Sequence, residues 1–266
     1  MPTAKERLDT LLADRGLVAT RELARRLIMA GEVTVNGQLI DKPGHRVPID
    51  AELALKTPPR FVSRGGEKLA AALAAFPVNP NGLICADVGA STGGFTDCLL
   101  QHGAARVYAI DVGYGQLDYR LRSDARVINM ERTNARYVER LPEAVQLVTL
   151  DASFISLKLL LPPVAGWLTP TADLIALIKP QFEAGRDDVG KGGVIKDPAV
   201  HRRVLIEVLT AAAEGGYCPA GLIYSPLKGP AGNIEFLAWL RWPGAASPPI
   251  PIEETVNSLI PDAPPG

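Results

Sequence analysis

The stretch DVGASTGGFTDCLL (residues 87–100) reads as the end of a strand, a glycine turn and the opening of a helix. Such a turn sets backbone N–H groups beside a ligand. A nucleoside-triphosphate loop requires G-x-x-x-x-G-K-[ST]. Gly89 and Gly94 keep that separation, but Phe95 and Thr96 replace the Lys-Ser/Thr pair and remove the phosphate cation. The dinucleotide fingerprint G-x-G-x-x-G also fails, because Ser91 stands where the second glycine admits the pyrophosphate. Asp111 can accept from a ribose hydroxyl in any of these cases and does not discriminate. S-adenosylmethionine carries no phosphate, and a small-residue turn with acidic groups at the first two strand ends suits its ribose, adenine and amino-acid end. A tight strand–helix connection with no ligand stays open on this stretch alone.

Outward from the turn, strands and helices alternate. Candidate strands are 83–88, 106–111, 126–130, 145–150 and 173–178, with helices at 94–102, about 155–168 and 199–214. Two further strands, about 217–224 and 234–241, have no helix between them and are close enough to pair antiparallel. The pattern predicts a doubly wound α/β domain with a mostly parallel sheet. Ligands of such sheets bind at the carboxyl ends of the strands, which selects Asp87 to Gly94, Asp111, the run after Met130, Asp151 and Lys179. An antiparallel last strand begins at that same edge and brings Glu235 there. The Gly- and charge-rich segment 185–197 reads either as a mobile lid or as plain surface.

The chain has 266 residues, room for one large domain or for a small one joined to a larger one. With 47% hydrophobic and 21% charged residues it is an ordinary globular composition. No apolar run approaches the ~18–20 residues of a spanning helix, and MPTAKERLDT lacks a signal peptide's apolar segment. Cys85, Cys98 and Cys218 show neither zinc nor disulfide spacing, and His45, His102 and His201 are scattered. The expectation is a cytoplasmic protein without a metal site or a membrane.

The net charge is −1, but it is unevenly spread: residues 1–68 carry 12 Lys/Arg against 9 Asp/Glu. A locally basic head permits RNA binding without demonstrating it. There, ERLDTLLADRGL places Leu8, Leu11 and Leu12 on one helical face, and Thr20 caps a second helix, RELARRLIMA. VTVNGQLI alternates around Asn36-Gly37, a tight-hairpin signal. KTPPRF (56–61) reads as a stiff linker. On charge alone, Arg21, Arg25 and Arg26 are as well explained by a solvated helix face.

The head, over roughly residues 5–64, resembles the S4-type RNA-binding module in its R-L-D start and G-x-V-x-V-N-G hairpin. That resemblance implicates Arg7, Arg21, Arg25 and Arg26 in contacts to RNA phosphates. The combination DVGASTGGF, AIDVG, LDASF, LIKPQF and GNIEF resembles the FtsJ-like ribose 2'-O-methyltransferases, which set a Lys-Asp-Lys-Glu tetrad around the ribose hydroxyl. The matching positions are Lys68, Asp151, Lys179 and Glu235. Together with SRGxxKL, DVGYGQL, ERTNAR and KPQFEAG, the whole is similar to the TlyA family, over nearly all the chain except its last ~20 residues.

The resemblance implies a Rossmann-like class I methyltransferase sheet over 65–246, an S4-like domain over 5–64 with a linker near 56–64, and a Pro-rich tail at 247–266. It implies an S-adenosylmethionine-dependent ribosomal RNA cytidine 2'-O-methyltransferase, acting on 23S rRNA with 16S rRNA as a second candidate, whose partners are rRNA and ribosomal subunits. The matching cofactor positions are Asp87, Gly89, Ala90, Ser91, Gly93, Gly94, Phe95, Asp111, Asn134 and Asp151, with Glu131 a weaker choice than Asn134. A ribose hydroxyl is a feeble nucleophile, and two lysines near one carboxylate help one of them accept or relay its proton. Lys179 is assigned to orient and activate the hydroxyl, Asp151 and Lys68 to set its charge state, and Glu235 to hold Lys68 or the ribose. Phe154 and Phe182 suit either core packing or contact with cofactor or base. The rivals are an NAD(P) oxidoreductase, disfavoured by Ser91, and a hemolysin-like or RNA-binding protein without methyl transfer, disfavoured by the presence of all four tetrad residues.

Overall fold

A computed structural model describes residues 4–18, 20–56, 60–185, 188–190, 192–243 and 249–261. The chain divides into two units, Met1–Pro59 and Arg60–Gly266.

In the smaller unit, β1 (Lys5–Arg7) pairs antiparallel with β4 (Arg46–Pro48), and α1 (Leu8–Asp14) follows directly. Thr20 Oγ1 accepts from Leu23 N at 3.2 Å and so caps α2 (Arg21–Met29), as its position ahead of the apolar stripe predicts. The hairpin of β2 (Val33–Val35) and β3 (Gln38–Leu39) turns on Asn36 and Gly37, whose φ angles of 49° and 76° are those a tight primed turn demands. β5 (Leu53–Leu55) completes a three-stranded sheet. Leu8, Leu12, Ile28 and Val33 are fully buried between helices and strands.

The larger unit carries one seven-stranded sheet. In chain order its strands are β6 (Ile84–Val88), β7 (Arg106–Ile110), β8 (Val127–Met130), β9 (Val145–Leu150), β10 (Leu168–Ile178), β11 (Cys218–Tyr224) and β12 (Phe236–Trp242). Their spatial order is β11-β12-β10-β9-β6-β7-β8. β6 to β10 pair in parallel, and β12 runs antiparallel to both its neighbours, β10 and β11. From β6 the chain winds outward through β7 and β8, then returns to β9 on the other side of β6. That reversal opens a crevice at the carboxyl ends of β6 and β9. Strand side chains alternate between two cores: Ala86 and Val88 enter one, Cys85 the other.

Three local expectations change. The predicted helix 155–168 is a 3-10 turn at Leu157–Leu159 followed by the short α6 (Leu161–Ala165). Pro162 and Pro163 lack N–H donors and are tolerated only in a first turn, so no continuous helix crosses them. Residues 57–59 of the expected linker lie outside the described residues, but 60–64 are packed into the larger unit. Phe61 is buried and Val62 N donates to Asp97 Oδ2 at 2.8 Å. The segment read as a Pro-rich tail contains α9 (Ile252–Leu259), whose Val256 is fully buried in the larger core. Burying such a side chain contributes about 1.5–3 kcal/mol; residues 247–248 and 262–266 of that segment lie outside the described residues.

Candidate active site

The glycine turn opens α4 (Gly94–Gln101) straight from the end of β6. Gly89 has φ +84°, and a Cβ there would lie 2.6 Å from the Asp151 carbonyl oxygen, so the turn presses against the end of β9. Gly94 performs a second close approach. A Cβ on it would stand 2.8 Å from Gly66 N, in α3 (Gly65–Ala75). The missing side chain of Gly94 thus lets α3 start against α4, while Gly66 makes room for Phe61, which a Cβ there would meet at 2.2 Å. Lys68, one turn into α3, is thereby brought to the carboxyl edge of the sheet.

All four tetrad side chains line one cavity of about 550 Å³. Lys68 Nζ meets Glu235 Oε2 at 2.5 Å, and Lys179 Nζ meets Asp151 Oδ1 at 2.7 Å. Lys68, Lys179 and Glu235 are only 9%, 8% and 2% exposed. The expectation of two lysines about one carboxylate is therefore modified: each lysine has its own carboxylate. The register explains the second pair, since Asp151 and Lys179 directly follow the adjacent parallel strands β9 and β10. Glu235 precedes β12, whose Phe236 is paired with Ile178. Lys179 Nζ also donates to Ser153 Oγ at 2.9 Å and to the Asp151 carbonyl at 3.4 Å.

A second cavity, of about 680 Å³, shares Gly89, Ser91, Asp151 and Ser153 with the first. Its apolar bed includes Val88, Ile110, Ile155 and Leu160, and Asp111 and Asn134 add polar groups. Asp111 accepts from Ser91 N at 2.8 Å and from Gly113 N at 2.6 Å, tying the turn to the end of β7. Asn134 Oδ1 accepts from Arg136 N at 3.1 Å. Glu131 lines neither cavity; its carboxylate accepts from Gln116 N and Arg122.

The cofactor positions read from sequence thus separate. Gly89, Ser91 and Asp151 line both cavities, Asp111 and Asn134 the larger, and Ala90, Gly94 and Phe95 the tetrad cavity. Asp87 and Gly93 line neither. Asp87 is fully buried, its oxygens accepting from Thr96 Oγ1 at 2.7 Å and Thr149 Oγ1 at 3.0 Å. Burial pushes its carboxyl up to about 7 against those hydrogen bonds. It pins the turn from beneath. Gly93, at φ +97°, faces Leu117 and Leu121.

Phe154 resolves its two alternatives: it is 90% exposed, at φ 63°, with its ring 4.9 Å from that of Phe182. Both line the larger cavity. Of segment 185–197, residues 186, 187 and 191 lie outside the described residues. Its far end is fixed, because Asn233 accepts from Ile195 N at 3.0 Å and donates to Gly193 O at 2.8 Å. Sequence reading missed Ser153, Asn233 and two cations of the tetrad cavity, Arg64 and Lys228. SRGG and PLKGP held those cations, but nothing local marked them as facing the sheet edge.

In the head, Arg25 and Arg26 are exposed, while Arg7 and Arg21 both bind Asp9. Among the described residues no helix is long and apolar enough to cross a membrane.

The FtsJ-like methyltransferase profile matches residues 61–242, and the S4 domain profile matches 6–53. A Mycobacterium tuberculosis protein named 16S/23S rRNA (cytidine-2'-O)-methyltransferase TlyA is 46% identical, over 89% of this chain and 90% of its own. The chain belongs to the TlyA family of FtsJ-like methyltransferases. The Bacillus subtilis family member YqxC is 52% identical over 92% of this chain and 88% of its own. A solved family structure from Streptococcus thermophilus, carrying the hemolysin name, superposes with a TM-score of 0.73 at 44% identity, covering 96% and 94% of the two chains.

Proposed function

We propose that the larger unit methylates the ribose 2'-hydroxyl of a cytidine in ribosomal RNA, held in part by the smaller unit. One observation carries this reading. The two buried ion pairs, Lys179–Asp151 and Lys68–Glu235, line a cavity that joins a second one at Gly89, Ser91, Asp151 and Ser153. The second cavity fits S-adenosylmethionine: an apolar bed for adenine, the Asp111 carboxylate for ribose hydroxyls, and the Asn134 amide for ring nitrogens. When bound, that cofactor supplies an electrophilic sulfonium methyl.

The chain's own part is to orient the hydroxyl and take its proton. Lys179 Nζ points its hydrogens at Asp151 and Ser153. A ribose hydroxyl entering beside Ser153 accepts the Lys179 hydrogen now given to Ser153 Oγ and passes its own proton to the Asp151 carboxylate as its oxygen takes the methyl group. Glu235 fixes Lys68 on the other wall, and Arg64 and Lys228 attract the flanking phosphates. Exposed Phe154 offers a stacking face to the target base. Alignment of hydroxyl and methyl is expected to supply most of the rate.

The test maps 2'-O-methylation in ribosomes from cells lacking the protein, complemented with native chain or with Lys179→Ala. A cytidine methylation restored by the native chain alone supports the reading. An unchanged map would favour an RNA-binding or hemolysin-like protein instead.

A further inference from the structure

The two arginines at the entrance of the S4 unit are held from within. Arg7 lays its guanidinium along Asp9 in a two-bond fork, Nε to Oδ1 at 3.0 Å and Nη2 to Oδ2 at 2.8 Å. Arg21, the first residue of α2, donates Nε to Asp9 Oδ2 at 3.1 Å. Asp9 is completely buried, yet the Arg7 and Arg21 side chains keep 41% and 54% exposure. A Cβ on Gly44 would lie 2.9 Å from Arg7 Nη1, so that glycine leaves the space the guanidinium fills. The loop carrying Gly44 is itself fixed, since Leu8 N donates to His45 O and Asp9 N to Pro43 O.

We propose that Asp9 is a positioning residue for RNA binding: with Gly44 it locks Arg7 and Arg21 so that their outer N–H edges meet the RNA backbone as a preformed pair. This rests on the reading that the S4 unit binds ribosomal RNA. Two effects oppose each other here. A carboxylate among phosphate-binding arginines lowers the patch's positive charge, which by itself weakens RNA binding. Against that, arginine side chains carry large rotamer entropy, and ordering them before the encounter removes that cost from binding. A guanidinium has five N–H hydrogens in a rigid fork. With Nε and Nη2 committed to Asp9 and Nη1 over Gly44, the Arg7 side chain still keeps 41% exposure, and Arg21, bound through Nε alone, keeps 54%. The buried location decides in favour of positioning, because a carboxylate serving only to moderate charge has no reason to leave solvent. The Arg7 hydrogen bond pulls the Asp9 carboxyl down to about 2, which keeps the anchor ionised in neutral solution.

The experiment measures affinity of the full chain for isolated ribosomal subunits across a salt series. Four forms are compared with native: Arg7→Ala/Arg21→Ala, Asp9→Asn, Gly44→Ala, and Asp9→Asn placed on the double-alanine background. The double alanine is expected to weaken binding at least tenfold and to lower the salt slope by roughly 2. Asp9→Asn is expected to weaken binding several-fold although it adds net positive charge. Gly44→Ala changes no charge, and the atom it meets is the end of a flexible side chain. It is expected to weaken binding several-fold at an unchanged melting temperature. On the double-alanine background Asp9→Asn should cause no further weakening. If the double alanine weakens binding while Asp9→Asn and Gly44→Ala bind as tightly as native or tighter, Asp9 is only a packing residue and the proposal falls. If the double alanine itself binds like native, the RNA-binding reading of the S4 unit falls and takes the proposal with it.

Discussion

Both units bury carboxylates beside cations, and they do it in opposite senses. In the S4 unit the carboxylate of Asp9 is hidden and its two arginines face water. At the sheet edge Lys68 and Lys179 are themselves hidden, each against its own carboxylate. An exposed arginine held from behind is suited to grip a phosphate without chemistry. A lysine removed from water is suited to handle a proton, because low dielectric strengthens its influence on a neighbouring hydroxyl. On the proposed function, which partner faces solvent separates a gripping cluster from a reacting one.

The largest expected effect tests the reacting cluster. Lys179→Ala should lower methyl transfer by about 10³-fold or more, within or above the usual range for loss of a positioned proton-transfer group. Binding of S-adenosylhomocysteine, measured by calorimetry, should stay close to native because Lys179 lines only the tetrad cavity. Loss of both together would show a collapsed site and not a missing chemical group. Glu235→Gln comes next. It leaves the Lys68 ammonium buried without its counter-charge, which typically costs about 3–5 kcal/mol. Thermal unfolding should register that as a clear drop in Tm. A variant as stable as native would mean that Lys68 finds another partner.

A smaller effect probes the boundary between the cavities. Asn134→Ala should weaken S-adenosylhomocysteine binding by about tenfold, the worth of a single hydrogen bond of ~1–1.5 kcal/mol. Turnover at saturating cofactor should barely change. A large fall in kcat instead would place Asn134 nearer the reacting atoms than its position in the larger cavity indicates.

Much of the larger fold was legible because β6 to β9 and the end of β10 are short apolar runs stopped by Gly89, Asp111, Glu131, Asp151 and Lys179. The antiparallel β12 followed from the absence of a helix between the last two strands. Asp151 and Lys179 were legible from their places at strand ends. Lys68 was not, since an isolated helix lysine looks like surface. Only family resemblance marked it, and the physical cause lies in Gly94, whose missing side chain lets two helices meet. α9 escaped notice because flanking prolines masked the apolar spacing of Ile252, Val256 and Leu259. Asp87 was misplaced for a different reason. A strand end shows that an acid is near the crevice, but alternation decides its face, and the partners Thr96 and Thr149 come from two other elements.

That buried acid supplies the most specific test, because it contrasts with Asp9 in sign. Arg7 and Arg21 hold the Asp9 carboxyl down, so its contribution is present at neutral pH and disappears only as pH falls from about 4 toward 2. Asp87 behaves inversely. Its carboxyl titrates at about 7 in the folded chain against an ordinary 3.8. Between those values the folded chain holds a proton that the unfolded chain has released, so stability should fall as pH rises from about 4 to 7. Asp87→Asn keeps an acceptor for the threonines and removes the ionisation. Its unfolding free energy should therefore depend less on pH across that window than the native chain's. By pH 8 the variant should have gained relative to its own deficit at pH 4. Parallel pH profiles for native and variant would mean that Thr96 and Thr149 stabilise the charged carboxylate fully, and that burial at the foot of the glycine turn carries no electrostatic cost.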